Sequence, residues 1–116
     1  MVTVHSHLVE FVEHVNRQAY FEAHDVLEEF WLVTRGERRD SEKGLIQTAV
    51  ALLKWQQGKI APASTRARRA ASHLQKYGPV CEGIVVDLIF GWLQDVMRGR
   101  NIVAEGIPLR LEFSAR

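Results

Sequence analysis

The run GLIQTAVALLKWQQG, Gly44–Gly58, decides the fold. Placed on a helix, Leu45, Ile46, Ala49, Val50, Leu52 and Leu53 cover more than half of its circumference. A helix that is apolar around most of its surface belongs in the centre of a bundle, where neighbours cover it on several sides. Its one polar strip carries Gln47 and Lys54, with Thr48 and Trp55 flanking them. Gly58 ends the segment, and Asp40 or Ser41 can cap its start, so a central helix over 41–57 is expected.

The flanking sequence supplies the covering helices. Val4, Leu8, Phe11, Val12 and Val15 recur at helical spacing and predict a helix over about 4–16. A second runs from about 19 to 34. The polar run RGERRDSE, which contains Gly36, predicts a loop between the second and central helices. Pro62 fits the first turn of a fourth helix, which exits at Tyr77-Gly78-Pro79. A fifth covers roughly 86–98 and stops at Gly99. Residues 100–116 include Gly106-Ile107-Pro108 and read as a non-helical tail, packed on the bundle or extending from it. The joins at 18–23 and 58–63 loosely resemble a tetratricopeptide arrangement, but the repeat signature is largely absent and two antiparallel hairpins are the simpler reading. The expected fold is all-α: an irregular bundle of about five helices forming one domain over 1–99.

Composition agrees with a single soluble domain. The chain has 116 residues, 47% hydrophobic and 25% charged, enough to build one core. No window reaches 18 apolar residues, so no membrane-spanning helix is expected. The N-terminal residues show neither a basic flank nor an uninterrupted apolar core of a secretory signal. Cys81 is the only cysteine, which rules out an intrachain disulfide and a cysteine-based zinc site. A cytosolic location is expected from these points. The net charge of +1 hides an asymmetry: residues 1–42 hold nine acids and four Lys/Arg, whereas residues 43–77 hold seven Lys/Arg and no acid. Acidic and basic blocks of this kind suit packing against each other, and leave room for an anionic partner.

Chemistry concentrates in YFEAHDVLEEFW, Tyr20–Trp31. On a helix, Ala23, Val26, Leu27 and Phe30 form the core face, and Glu22, Asp25 and Glu29 form a solvated one. His24 and Glu28 stack one turn apart between large apolar groups. If they touch, the carboxylate favours the charged imidazole. Gln47 or Lys54 of the central helix can supply the partners that such a half-buried pair needs. The structural reading is a polar cluster that fixes one helix against another. A ligand-binding reading takes the pocket where His24 and Glu28 meet Trp31, Gln47, Lys54 and Trp55.

Other readings use the same residues. His24 and Glu28 have the i, i+4 spacing of two metal ligands, which makes a divalent metal the alternative cofactor and a metal-dependent hydrolase-like enzyme the alternative function. His5, His7, His14 or His73 would have to complete the site. The pattern H…HD…D of His-Asp phosphohydrolases can be forced onto His14, His24-Asp25 and Asp87 or Asp95, but adjacent residues on a helix point about 100° apart. Acid–base catalysis by Glu28 with His24 uses suitable residue types, yet no P-loop, G-x-S-x-G or G-x-G-x-x-G accompanies it. On the fourth helix Arg66, Arg69, His73 and Lys76 form a basic strip that could contact nucleic-acid phosphates, though no aromatic on that helix is available to stack on bases.

The runs YFEAHDVLEEFW, GLIQTAVALLKWQQG and RARRAASHLQKYG, at this spacing, resemble an uncharacterised family of small all-helical, mostly prokaryotic proteins. It is catalogued as domain of unknown function number 309. Its hallmarks are a helix of the type F-E-A-H-[DE]-x-x-E-x-x-W and a following helix of the type G-L-I-Q-x-A-x-A. The resemblance covers about residues 8–98 and places His24, Glu28, Trp31 and Gln47 at hallmark positions. It implies a helical bundle and no particular activity. Gln18 stands where the resemblance implies a glycine, and Phe90-Gly91-Trp92 puts a small-residue notch in the last helix.

The function expected from these readings is a cytosolic binding or interaction domain without catalysis or cofactor. Phe90 and Trp92 predict an apolar edge that the tail or a second copy of the chain must cover.

Overall fold

Five α-helices follow one another in a computed structural model that describes residues 6–98 and 109–114. They are α1 Ser6–Asn16, α2 Tyr20–Trp31, α3 Glu37–Gln56, α4 Ile60–Leu74 and α5 Val86–Met97. A short 3-10 turn, Gln75–Tyr77, and a small hairpin of β1 Val80–Cys81 and β2 Ile84–Val85 lead from α4 to α5. The chain is an all-α bundle. α3 lies between α2 and α4, α1 packs on α2, and α5 packs on α4. The expected start of the first helix at residue 4, and Gly106-Ile107-Pro108, lie outside the described residues.

α3 is central because its apolar surface is nearly continuous. Leu45, Ile46, Ala49, Ala51, Leu52 and Trp55 are all buried. α4 meets it through a face of small residues, Ala63, Ala67 and Ala70, none of them exposed. Small side chains let the two backbones approach closely. Gly44 lies at a close approach: a Cβ there would stand 2.8 Å from Leu74 Cγ and Cδ2.

Two features differ from the sequence expectation. The polar run after α2 is a loop only as far as Gly36, and α3 begins at Glu37 rather than 41. Gly36 takes φ +72° and turns the chain into the helix, with no side-chain cap from Asp40 or Ser41. This first turn is polar, but most of its side chains have partners elsewhere in the chain. Arg38 meets Glu82, Arg39 lies on Trp31, Asp40 meets His73 and Glu42 meets His7. Tertiary bonds hold a segment whose composition alone reads as a loop.

The second difference is the hairpin. Glu82 and Gly83 both have positive φ, +54° and +83°, as a two-residue hairpin turn requires. The C-terminal residues join it. Val85 N–H donates to the Glu112 carbonyl at 2.9 Å, and Ser114 N–H donates to that of Gly83 at 2.7 Å. Asn16, at the end of α1, clamps Leu111. Its amide donates to the Leu111 carbonyl at 3.0 Å and accepts from the Leu111 N–H at 2.7 Å. Leu109 and Leu111 are buried. Trp92 is buried too, edge-on to Trp55 with ring centroids 5.5 Å apart.

Candidate functional site

The hallmark residues of α2 lie on one stripe, because positions 24, 28 and 31 are one turn apart each. Nε2 of His24 sits 2.7 Å from Oε2 of Glu28, and both side chains are half-buried. Asp25, Glu22 and Glu29 are exposed on the other side of the helix. His24 and Asp25 therefore point apart, which leaves the H…HD…D pattern without its central pair.

The floor facing this stripe is the polar strip of α3. Lys43, Gln47, Val50 and Lys54 follow one another at helical spacing, with Ile46 and Leu53 alongside. α4 forms the opposite wall with Arg66 and, two turns on, His73. The result is a trough over α3, between α2 and α4, made of two cavities that meet at Lys43. The first, about 360 Å³, holds Phe21, His24, Glu28, Gln47, Lys54 and Arg66. The second, about 280 Å³, holds Trp31, Arg39, Asp40 and His73.

Trp31 lies further along the same stripe, in the second cavity rather than in the one that holds the His24–Glu28 pair. Its Nε1 donates to the Arg39 carbonyl at 2.7 Å, the Arg39 guanidinium lies 3.9 Å above its ring centroid, and Lys43 Nζ lies 4.7 Å from it. Trp55 is elsewhere: one residue on from Lys54, it turns into the core against Trp92 and contributes nothing to the trough.

The basic strip of α4 divides by turn. Arg66 reaches the first cavity and His73 the second. Lys76 is drawn to Asp40 at 3.4 Å, and Arg69 is exposed outside both cavities. Asp40 also accepts from Tyr77 OH at 2.5 Å, and its Oδ1 lies 2.8 Å from Nδ1 of His73. The Tyr77 hydrogen bond, with those of His73 and Lys76, holds the Asp40 carboxyl down at about 2 despite the opposing desolvation. The same bond pushes the Tyr77 hydroxyl up to about 12.

Charge in the trough is unbalanced. Both carboxylates, Glu28 and Asp40, are engaged by cations or histidines. Arg39, Lys43, Lys54 and Arg66 form no ion pair with any described carboxylate. These cations do not suit a divalent metal. Among the described residues no group of three or more His, Cys, Asp and Glu side chains is gathered to hold one. His5, one of the candidate ligands, lies outside the described residues. His7 and His73 are engaged with other carboxylates, Glu42 and Asp40.

Sequence reasoning missed Lys43, although it lies one turn before Gln47 on the same strip. It also missed Glu42, which is fully buried. Glu42 accepts from Arg38 at 3.1 Å and Thr34 at 3.1 Å and lies 3.3 Å from His7 Nε2. Arg38 continues the network to Glu82, and Ser41 donates to the same carboxylate. No local pattern announces this cluster, since its members come from α1, the α2–α3 loop, α3 and the hairpin.

No match was found among curated proteins. A family model described as domain of unknown function (DUF309) matches residues 8–65, which take in most of α1, all of α2 and α3 and the start of α4 and include His24, Glu28, Trp31 and Gln47. The chain belongs to that family.

Proposed function

We propose that this chain is a non-catalytic binding module of the cytosol whose trough over α3 takes a small anionic ligand. One observation carries the reading: four cations line the trough without a carboxylate partner among the described residues, while its own two carboxylates are already engaged. Half-buried cations without a carboxylate partner in a concave site give an anion a favourable potential. Among the described residues, no lining side chain is a hydroxyl or thiol nucleophile. The His24–Glu28 pair fits a positioning role, fixing one wall and keeping the Glu28 charge away from the lysines. A cytosolic setting is consistent with the single buried Cys81, and among the described residues no helix is long and apolar enough to cross a membrane.

The test is an amide-resolved NMR titration at low salt with inorganic phosphate and acetate. Shifts concentrated on α3 between Lys43 and Lys54, lost in Lys54→Glu and Arg66→Glu, are expected. Shifts confined to other surfaces, or none, would refute the reading. Binding of mixed-sequence RNA without any response to small anions would move the assignment to the basic strip of α4.

A further inference from the structure

The first cavity is not uniformly polar. Ile46, Val50 and Leu53 form the apolar middle of its floor, and Phe21 stands at its edge 59% exposed. An inorganic anion would meet the lysines and leave this surface wet. Gln47 adds an independent constraint. It lines the cavity yet is only 7% exposed, and its Oε1 has no hydrogen-bond partner among the described residues. A buried carbonyl oxygen without a donor is costly, and most find one. The terminal torsion of a glutamine is soft, so the carboxamide can turn to a donor in the cavity without moving the backbone.

Resting on the reading of the trough as an anion site, we infer that its occupant is a small amphipathic acid: an acid group at Lys43, in the positive potential to which Lys54 and Arg66 add, an N–H or O–H donor beside it for Gln47, and a branched apolar body for Ile46, Val50 and Leu53. N-acylated apolar amino acids and branched hydroxy acids share this chemistry. The volume, about 360 Å³, is that of a small-molecule site. Lys43 and Gln47 are one helical turn apart, so an acid at Lys43 brings a donor two bonds away toward Gln47.

Four probes dissect the claim by calorimetric and NMR titration of the full chain. N-acetyl-L-leucine carries all three features. 4-Methylpentanoic acid lacks the donor, N-acetyl-L-leucinamide lacks the charge, and acetate lacks the body. N-acetyl-L-leucine should bind tightest, 4-methylpentanoic acid roughly tenfold more weakly for the lost hydrogen bond, acetate more weakly again, and the amide not measurably. Lys43→Met should weaken N-acetyl-L-leucine most, and Lys54→Met and Arg66→Met less, with the unliganded unfolding midpoint of the last two unchanged. Gln47→Met should abolish the preference for N-acetyl-L-leucine over 4-methylpentanoic acid. Acetate or phosphate binding in the trough as tightly as N-acetyl-L-leucine would overturn this inference and leave the anion site standing. The amide binding as tightly as the acid would overturn it too. If none of the anions binds, both readings fall.

Discussion

Gly44 offers the sharpest test of how α4 sits on α3, and hence of the wall that carries Arg66 and His73. Replacing it by alanine should help the helix, since glycine in a helix interior is about 1 kcal/mol worse than alanine. The structure predicts the opposite sign. The added Cβ would stand 2.8 Å from both Cγ and Cδ2 of Leu74 and 3.0 Å from Cβ of His73. Leu74 is fully buried and has nowhere to retreat. Overpacking of this kind costs about 1–3 kcal/mol, and two atoms under 3 Å place it at the upper end. The net expectation for Gly44→Ala is a loss of about 2 kcal/mol. Gly91, inside α5, is the control: no described residue lies within 4 Å of its added Cβ, so Gly91→Ala should gain about 1 kcal/mol. With a urea m-value of about 1.5 kcal/mol/M, the two midpoints should differ by about 2 M. If Gly44→Ala stabilises as Gly91→Ala does, the close approach of α3 and α4 described above is wrong.

Gln18 holds φ +62° in the α1–α2 turn, where a side chain is strained, so Gln18→Gly should raise stability by about 1 kcal/mol in the same urea assay. Glu42→Ala strips the buried acceptor from Arg38, Thr34 and His7 and should cost about 3 kcal/mol, against a change within about 0.5 kcal/mol for the exposed Glu29→Ala. Asp40 ionises near 2 in the fold against 3.8 without its partners, so its contribution to stability is complete above pH 3.8 and lost as pH falls through 2. Its carboxylate is a third exposed, so solvent screening keeps that contribution below about 1 kcal/mol. Tyr77→Phe removes the largest cause of the shift and should move the Asp40 titration, followed by carboxyl NMR, upward toward 3.8; an unmoved titration would show that the hydroxyl is not bonded there.

What the sequence determined by itself is local. A 3.6-residue period depends only on neighbouring positions, and it is strong in α2 through α4. It yields the helices, the central place of α3, the stacking of His24 on Glu28, and the common strip of Gln47 and Lys54. At Gln18 it was the family resemblance, not the period, that implied a glycine, and the structure gives that position a positive φ. What only the tertiary structure decided involves partners far apart in the chain. Asp40 and Tyr77 are 37 residues apart, His7 and Glu42 35, Asn16 and Leu111 95. Such pairs leave no periodic trace, because either partner alone reads as an ordinary polar residue in a loop or on a wet face. The extra turn of α3, the small hairpin, the separation of Trp31 from the His24–Glu28 pair and the entry of Lys43 into the trough all follow from contacts of this kind. The trough exists because α2 and α4 lie on either side of one helix, and a cavity belongs to the space between elements rather than to any of them.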